Sequence, residues 1–237
     1  MTIAENIACV REEIELAAQR CGRKSEEITL VAASKMNDAA RVREAAEAGI
    51  SVFGENRVQE MTEKNTAGAY EGTRLHFIGR LQRNKVRQVV GVAELIHGAD
   101  SMTLLQEIGK RASERGLVQE VLLEVNIGRE TTKAGFAPEE IPAALETAET
   151  IPGIRIRGLM AIPPIVTSEE EIFPYFSAMR KLFIDNGGKK YDNSSMDFLS
   201  MGMSHDFVQA ILCGSNMVRI GTKIFGPRNY GANYPAG

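Results

Sequence analysis

The chain has 237 residues, 43% hydrophobic and 25% charged, the balance of an ordinary globular protein with ample apolar material for a core. Its net charge is −3, with lysines and arginines spread along the chain, which argues against nucleic acid or an anionic membrane as the main partner. No stretch approaches the roughly 18 uninterrupted apolar residues of a spanning helix, and the N-terminus mixes charged and apolar residues, unlike a signal peptide. Cys9, Cys21 and Cys213 fit no metal or redox spacing and read as incidental thiols of a reducing compartment. A cytoplasmic protein with no metal site is expected.

The first element is an amphipathic helix, with Ile3, Ile7, Val10 and Ile14 on one face and Gly22 as a stop. From there short β-branched runs alternate with helical stretches, the rhythm of repeated βα units on a parallel sheet. The strands are expected at 28–35, 51–56, 75–79, 94–100, 118–128, 154–162, 196–202 and 217–226. Helices are expected between them: 38–49, from near Arg57, 102 to about 115, 138–149, 169 to 183 and 205–214, with the segment 84–91 after the third strand. Each strand is almost continuously apolar, as when both faces are buried. Eight strands close a barrel, whereas a doubly wound open sheet would more often show five or six. The expectation is a single (β/α)8 TIM barrel spanning residues 1–237 as one domain, its N-terminal helix capping or flanking it.

Barrel chemistry sits at the C-terminal strand ends. Lys35 closes the first strand, Glu55 and Asn56 the second and Asn126 the fifth; His76 lies in the third. Ser200 to Ser204 follow the seventh, and Arg219 to Thr222 lie on the eighth. A lysine at the end of LVAASK either snorkels into water or, in an apolar site, has its pKa lowered and attacks an aldehyde. The run Ser200-Met201-Gly202-Met203-Ser204 leads into a helix, and Arg219-Ile220-Gly221-Thr222 carries a second glycine. Glycines let backbone N–H groups approach a phosphate, and the loops after strands seven and eight are this fold's usual phosphate site. His97 and His205 show no metal-ligand spacing and read as solvated rim residues. Lys85 with Arg80, Arg83 and Arg87 forms a basic stripe that reads as a solvated face, and Lys133 is a similar candidate.

The segments VAASK, FGENRVQE, HFIGRLQRNK, VNIGRETTKAG, RGLMAIPP, LSMGMSHDF and GSNMVRIGTKIFGPR resemble, in collinear order along essentially the whole chain, the pyridoxal phosphate homeostasis proteins, the YggS/PROSC family. The resemblance implies a barrel like the alanine racemase N-terminal domain, holding pyridoxal 5′-phosphate (PLP) as a Schiff base on Lys35. It implies that Arg219 faces the pyridine nitrogen and that Asn56 and His76 line the cofactor face. The phosphate falls to Ser204, to the backbone of the Met201–Met203 turn with Gly202, and to Gly221 and Thr222, and Ser200 is counted among the cofactor-binding residues. Met36, Arg80, Arg83 and His205 depart from the family's commoner residues. The implied role is vitamin B6 homeostasis without robust catalysis, with apo-enzymes that need PLP as acceptors and a monomer or weak dimer as the acting state. Two alternatives stand beside it: a PLP-dependent amino-acid racemase, and a class I aldolase in which Lys35 attacks a sugar phosphate directly. A racemase needs a second acid or base, for which the tail offers Tyr230 and Tyr234.

Overall fold

The computed structural model describes residues 1–166, 168–189 and 191–227. Helix α1 spans Ile3–Arg20 and opens on a capping box, the Thr2 hydroxyl accepting Glu5 N–H and the Glu5 carboxylate accepting Thr2 N–H. Then follow β1 Thr29–Ala33, α2 Ala39–Glu47, β2 Val52–Glu55, α3 Val58–Thr66, β3 Arg74–Phe77 and α4 Val86–Val89. Next come β4 Leu95–Ala99, α5 Met102–Ser113, β5 Gln119–Val125, α6 Ile141–Ala148, β6 Ile154–Ala161 and α7 Glu169–Gly187. The chain continues through β7 Ser194–Ser200, α8 Phe207–Leu212, β8 Met217–Ile220 and α9 Thr222–Phe225.

All eight strands pair with their sequence neighbours in parallel, and β1 closes on β8 with Val31 opposite Arg219. This is the expected TIM barrel. Two layers of apolar side chains hold it. Inside, Val31, Val52, Leu95, Leu122, Met160 and Met217 pack together with Ile78 and Phe198. Outside, a larger cluster fills the space between sheet and helices, including Ile7, Val42, Phe53, Phe77, Leu105, Leu123, Phe176 and Ile211. Strand side chains alternate, so the residue two places from each interior one also points inward. That rule puts Gly54, His76, His97, Glu124, Ser200 and Arg219 in the barrel.

The N-terminal helix flanks the barrel, packing on α2, α8 and α9. Among the described residues the last strand is followed by the single turn α9, and the apolar face of α1 carrying Ile3, Ile7, Val10 and Ile14 is buried where it packs on these helices. The eighth strand, expected over 217–226, stops at Ile220 because Gly221 donates its N–H to the Ser204 hydroxyl and residues 222–225 wind into a helical turn. The fifth, expected to 128, stops at Val125, where the Asn126 side chain organises the next loop by accepting Glu130 N–H and donating to Glu130 O. Helix α7, expected to end at Phe183, runs on to Gly187.

Candidate functional site

Lys35 sits just beyond β1, half-buried between the fully buried Ser34 and the half-buried Met36. Met36 has φ 61, the left-handed region that side chains other than glycine rarely adopt. The turn is held closely: Ser34 N–H donates to Gly54 O at 3.0 Å and Asn37 N–H to Ser34 O at 3.1 Å. Because Ala33 pairs with Gly54, the register carries Lys35 and Asn56 to adjacent places on the rim. The Asn56 Oδ1 is buried without a hydrogen-bond partner, a cost that a bound polar group would remove.

Below the rim a polar layer crosses the barrel. Arg219 is 4% exposed and its guanidinium donates to Ser200 O at 2.9 Å, to Ser200 Oγ at 2.5 Å and to Ala161 O at 3.0 Å. Burial draws its pKa down to about 10, so it stays charged near neutral pH. Ser200 Oγ lies 3.1 Å from His97 Nδ1, and His97 Nε2 lies 3.0 Å from His76 Nδ1. Burial holds His76 down at about 3, with Arg74 adding to it, and holds His97 well below the usual imidazole range. Both rings are therefore neutral, and the line Arg219–Ser200–His97–His76 fixes their orientation. His97, read from sequence as a solvated rim residue, is wholly buried and joins His76 to Ser200. The missed signal was its place two residues after Leu95 in an otherwise apolar strand. His205 is exposed, as expected.

Glu124 was also missed. It projects from β5, across the barrel from β1. Its carboxyl is pushed up to about 7, by burial first and Asp100 second, against the pull of Arg219 and Arg80. A glutamate inside VLLEV was the available clue.

The two glycine-rich loops meet as expected. Gly221 N–H donates to Ser204 Oγ at 3.2 Å, leaving the hydroxyl proton to donate elsewhere, and Ser204 is 7% exposed. Gly202 has φ +95, and a Cβ there would lie 2.6 Å from the Ala210 Cβ. A Cβ on Gly221 would stand 3.2 Å from Ala33 O. Met201 is buried beneath the turn and Met203 lies partly exposed above it. Ser200, counted from the sequence among the cofactor-binding residues, is fully buried and engaged by Arg219 and His97. Thr222 opens α9 beside Gly221. These loops, the orphan oxygen of Asn56, the buried arginine and the rim lysine fit an aromatic aldehyde bearing a phosphate.

The basic stripe takes a different place. Arg57, Arg80, Arg83 and Lys85 line an open groove of about 1290 Å³ that begins at Asn56 and runs beside the rim to Gly135. Lys133 is engaged by the Glu130 carboxylate at 2.5 Å and donates to Pro163 O at 3.3 Å. Tyr230 and Tyr234 lie outside the described residues.

Residues 6–229 match the family described as alanine racemase, N-terminal domain. Over 230 residues the chain is 43% identical to a pyridoxal phosphate homeostasis protein of Aquifex aeolicus, covering 97% of this chain and 100% of that one. Its counterpart in Pseudomonas aeruginosa is 41% identical, covering 98% of each. Among solved structures, PipY of Synechococcus elongatus with PLP bound superimposes with a TM-score of 0.82 at 31% identity, over 95% of this chain and 100% of that one. An unknown protein from Bifidobacterium adolescentis gives a TM-score of 0.86 at 35% identity, over 94% of each chain. Full-length similarity on this barrel leads to one conclusion: the chain belongs to the pyridoxal phosphate homeostasis protein family, built on the alanine racemase N-terminal domain.

Proposed function

We propose that this protein holds PLP through a Schiff base on Lys35 and serves vitamin B6 homeostasis, passing the cofactor to apo-enzymes rather than turning over amino acids. When bound, PLP supplies an aldehyde that condenses with an amine, losing water, and a ring that accepts electrons best when its nitrogen is protonated. Lys35 offers the amine at the rim. Ser204 and the backbone of the Met201–Met203 turn, Gly221 and Thr222 offer donors for the phosphate, and Asn56 and His76 line the ring.

The observation that supports this reading is the buried, charged Arg219. A guanidinium keeps its proton and leaves the ring nitrogen unprotonated, a weakened electron sink that suits a carrier or a racemase and disfavours transamination. The proposed contacts all come from one chain, so a monomer or weak dimer suffices. The racemase reading keeps one structural argument, Glu124, a carboxyl near 7 across the barrel from Lys35. Inversion needs two proton carriers on opposite faces of a planar carbanion.

The test follows the α-proton of L- and D-alanine in deuterated water with cofactor-loaded protein. The proposal expects at most slow exchange without inversion. Inversion near about 1 s⁻¹, the low end for ordinary enzymes, lost in both Lys35→Ala and Glu124→Gln, would make the protein a racemase.

A further inference from the structure

Beneath the Lys35 turn lies a buried ionic cluster that the proposed cofactor contacts do not use. Lys64, on α3, is 8% exposed and has spent its ammonium on three acceptors: Glu55 Oε1 at 2.6 Å, Ser34 O at 2.9 Å and Glu60 Oε2 at 3.2 Å. The same Glu60 oxygen accepts the N–H of Met36 at 2.7 Å. The same Glu55 oxygen accepts the Ser34 hydroxyl at 2.7 Å and the Tyr70 hydroxyl at 2.8 Å. Arg57 stands 3.9 Å from the other Glu60 oxygen.

Two features show what the cluster acts on. Its hydrogen bonds converge on the peptide groups either side of Lys35, the carbonyl of Ser34 and the N–H of Met36. It also secures a turn the chain would not choose, since Met36 is held at φ 61. Desolvating one lysine and two carboxylates offsets much of their mutual attraction, so such a cluster is a poor source of stability and a good means of fixing geometry. Glu55 Oε2 and Glu60 Oε1 are buried without hydrogen-bond partners, so the arrangement is not optimised for stability.

We infer that Glu60 and Lys64, braced by Glu55, are positioning residues for Lys35: they clamp the peptides flanking it and thereby set the place from which its amine reaches the cofactor aldehyde. Lys64 itself is no second attachment site, because its three donors are already engaged. The inference rests on Lys35 as the point of attachment.

The test separates attachment from fit. Stopped-flow absorbance follows covalent attachment of PLP, and a binding titration uses pyridoxine 5′-phosphate, which has an alcohol where PLP has the aldehyde. Glu60→Ala should slow attachment by about tenfold or more, as misplacing a reacting group does, while leaving pyridoxine 5′-phosphate binding unchanged. Glu60→Gln, whose amide oxygen can still accept the Met36 N–H, should recover most of the rate. Lys64→Gln provides the second arm and should show the same division between slowed attachment and intact binding if Glu60→Ala does not fold. Unchanged attachment in a folded Glu60→Ala or Lys64→Gln would overturn the inference. So would a Glu60→Gln as slow as Glu60→Ala, or a parallel loss of pyridoxine 5′-phosphate binding. Failure of wild-type protein to attach PLP at all would instead remove the Lys35 assignment on which the inference stands.

Discussion

Arg219 and Ser204 divide the work that the site asks of single residues. Arg219 is fixed by three acceptors beneath the proposed ring position, and Ser204 stands at the loops proposed to take the phosphate. Losing a hydrogen bond to a charged group costs about 1–3 kcal/mol. Ser204→Ala should weaken PLP retention by about that amount and affect pyridoxal, which lacks the phosphate, far less. Equal weakening of both ligands in equilibrium titrations would place Ser204 away from the phosphate. Arg219→Glu should change the absorbance of the bound cofactor, because a carboxylate favours a protonated ring nitrogen. An unchanged spectrum with cofactor still bound would move residue 219 away from the ring.

The buried histidines make a prediction about pH. An unfolded chain protonates its imidazoles near 6.5, whereas His76 in the fold resists until about 3 and His97 is likewise held low. Below pH 6.5 the unfolded state therefore binds more protons. The full stability is present above that pH and declines as pH falls from 6.5 toward 3, by up to about 1.4 kcal/mol per pH unit for each histidine. Urea unfolding between pH 7.5 and 5 should show a shallower decline for His97→Gln than for the wild type. An equal decline in both would mean that His97 is not kept neutral by the fold.

At the level of elements, most of the architecture was legible in the sequence because the β-branched runs and the amphipathic stretches between them differ in period. Seven of the eight strands lie within three residues of the expected ends, and the eighth stops six residues short of its expected end. The errors fall where a side chain or a turn, rather than periodicity, ends a strand: Asn126 after β5 and Gly221 after β8. Within the candidate site, Lys35 and Asn56 were legible as polar residues at strand ends, His76 as a polar residue within a strand, and the two loops by their glycines. His97, Glu124, Glu60 and Lys64 were not. Their significance depends on which way a strand faces, or on a helix folding back over its own strand, and neither is a property of a local motif.

Two substitutions test elements directly. Gly202→Ala forces a side chain into φ +95 against Ala210 and Phe207. It should cost about 1–3 kcal/mol or more of stability and reduce phosphate-dependent retention in the same variant. A variant as stable as wild type in thermal melts would show that the turn relaxes freely. Ile14→Ala empties a buried position of α1, 4% exposed. If this face holds α1 on its neighbouring helices, the loss should be about 2–5 kcal/mol, the usual range for such truncations. A loss near zero in urea unfolding would mean that α1 is only loosely attached.

For the whole molecule, the barrel brings residues from the two ends of its strand order together. Lys35 lies past the first strand, Arg219 on the last, and closure makes those strands neighbours. An open groove with Arg57, Arg80 and Lys85 runs beside the rim. No helix among the described residues is long and apolar enough to cross a membrane. The central claim is that this assembly presents one lysine to the cofactor, and borohydride trapping measures that most directly. PLP-loaded protein is reduced, digested and mapped by peptide mass, in the wild type and in Lys35→Ala. The account predicts a single adduct on Lys35 and none in the variant, with residual non-covalent binding through the phosphate. An adduct on Lys64, Lys85, Lys133 or Lys223 in place of Lys35 would contradict it.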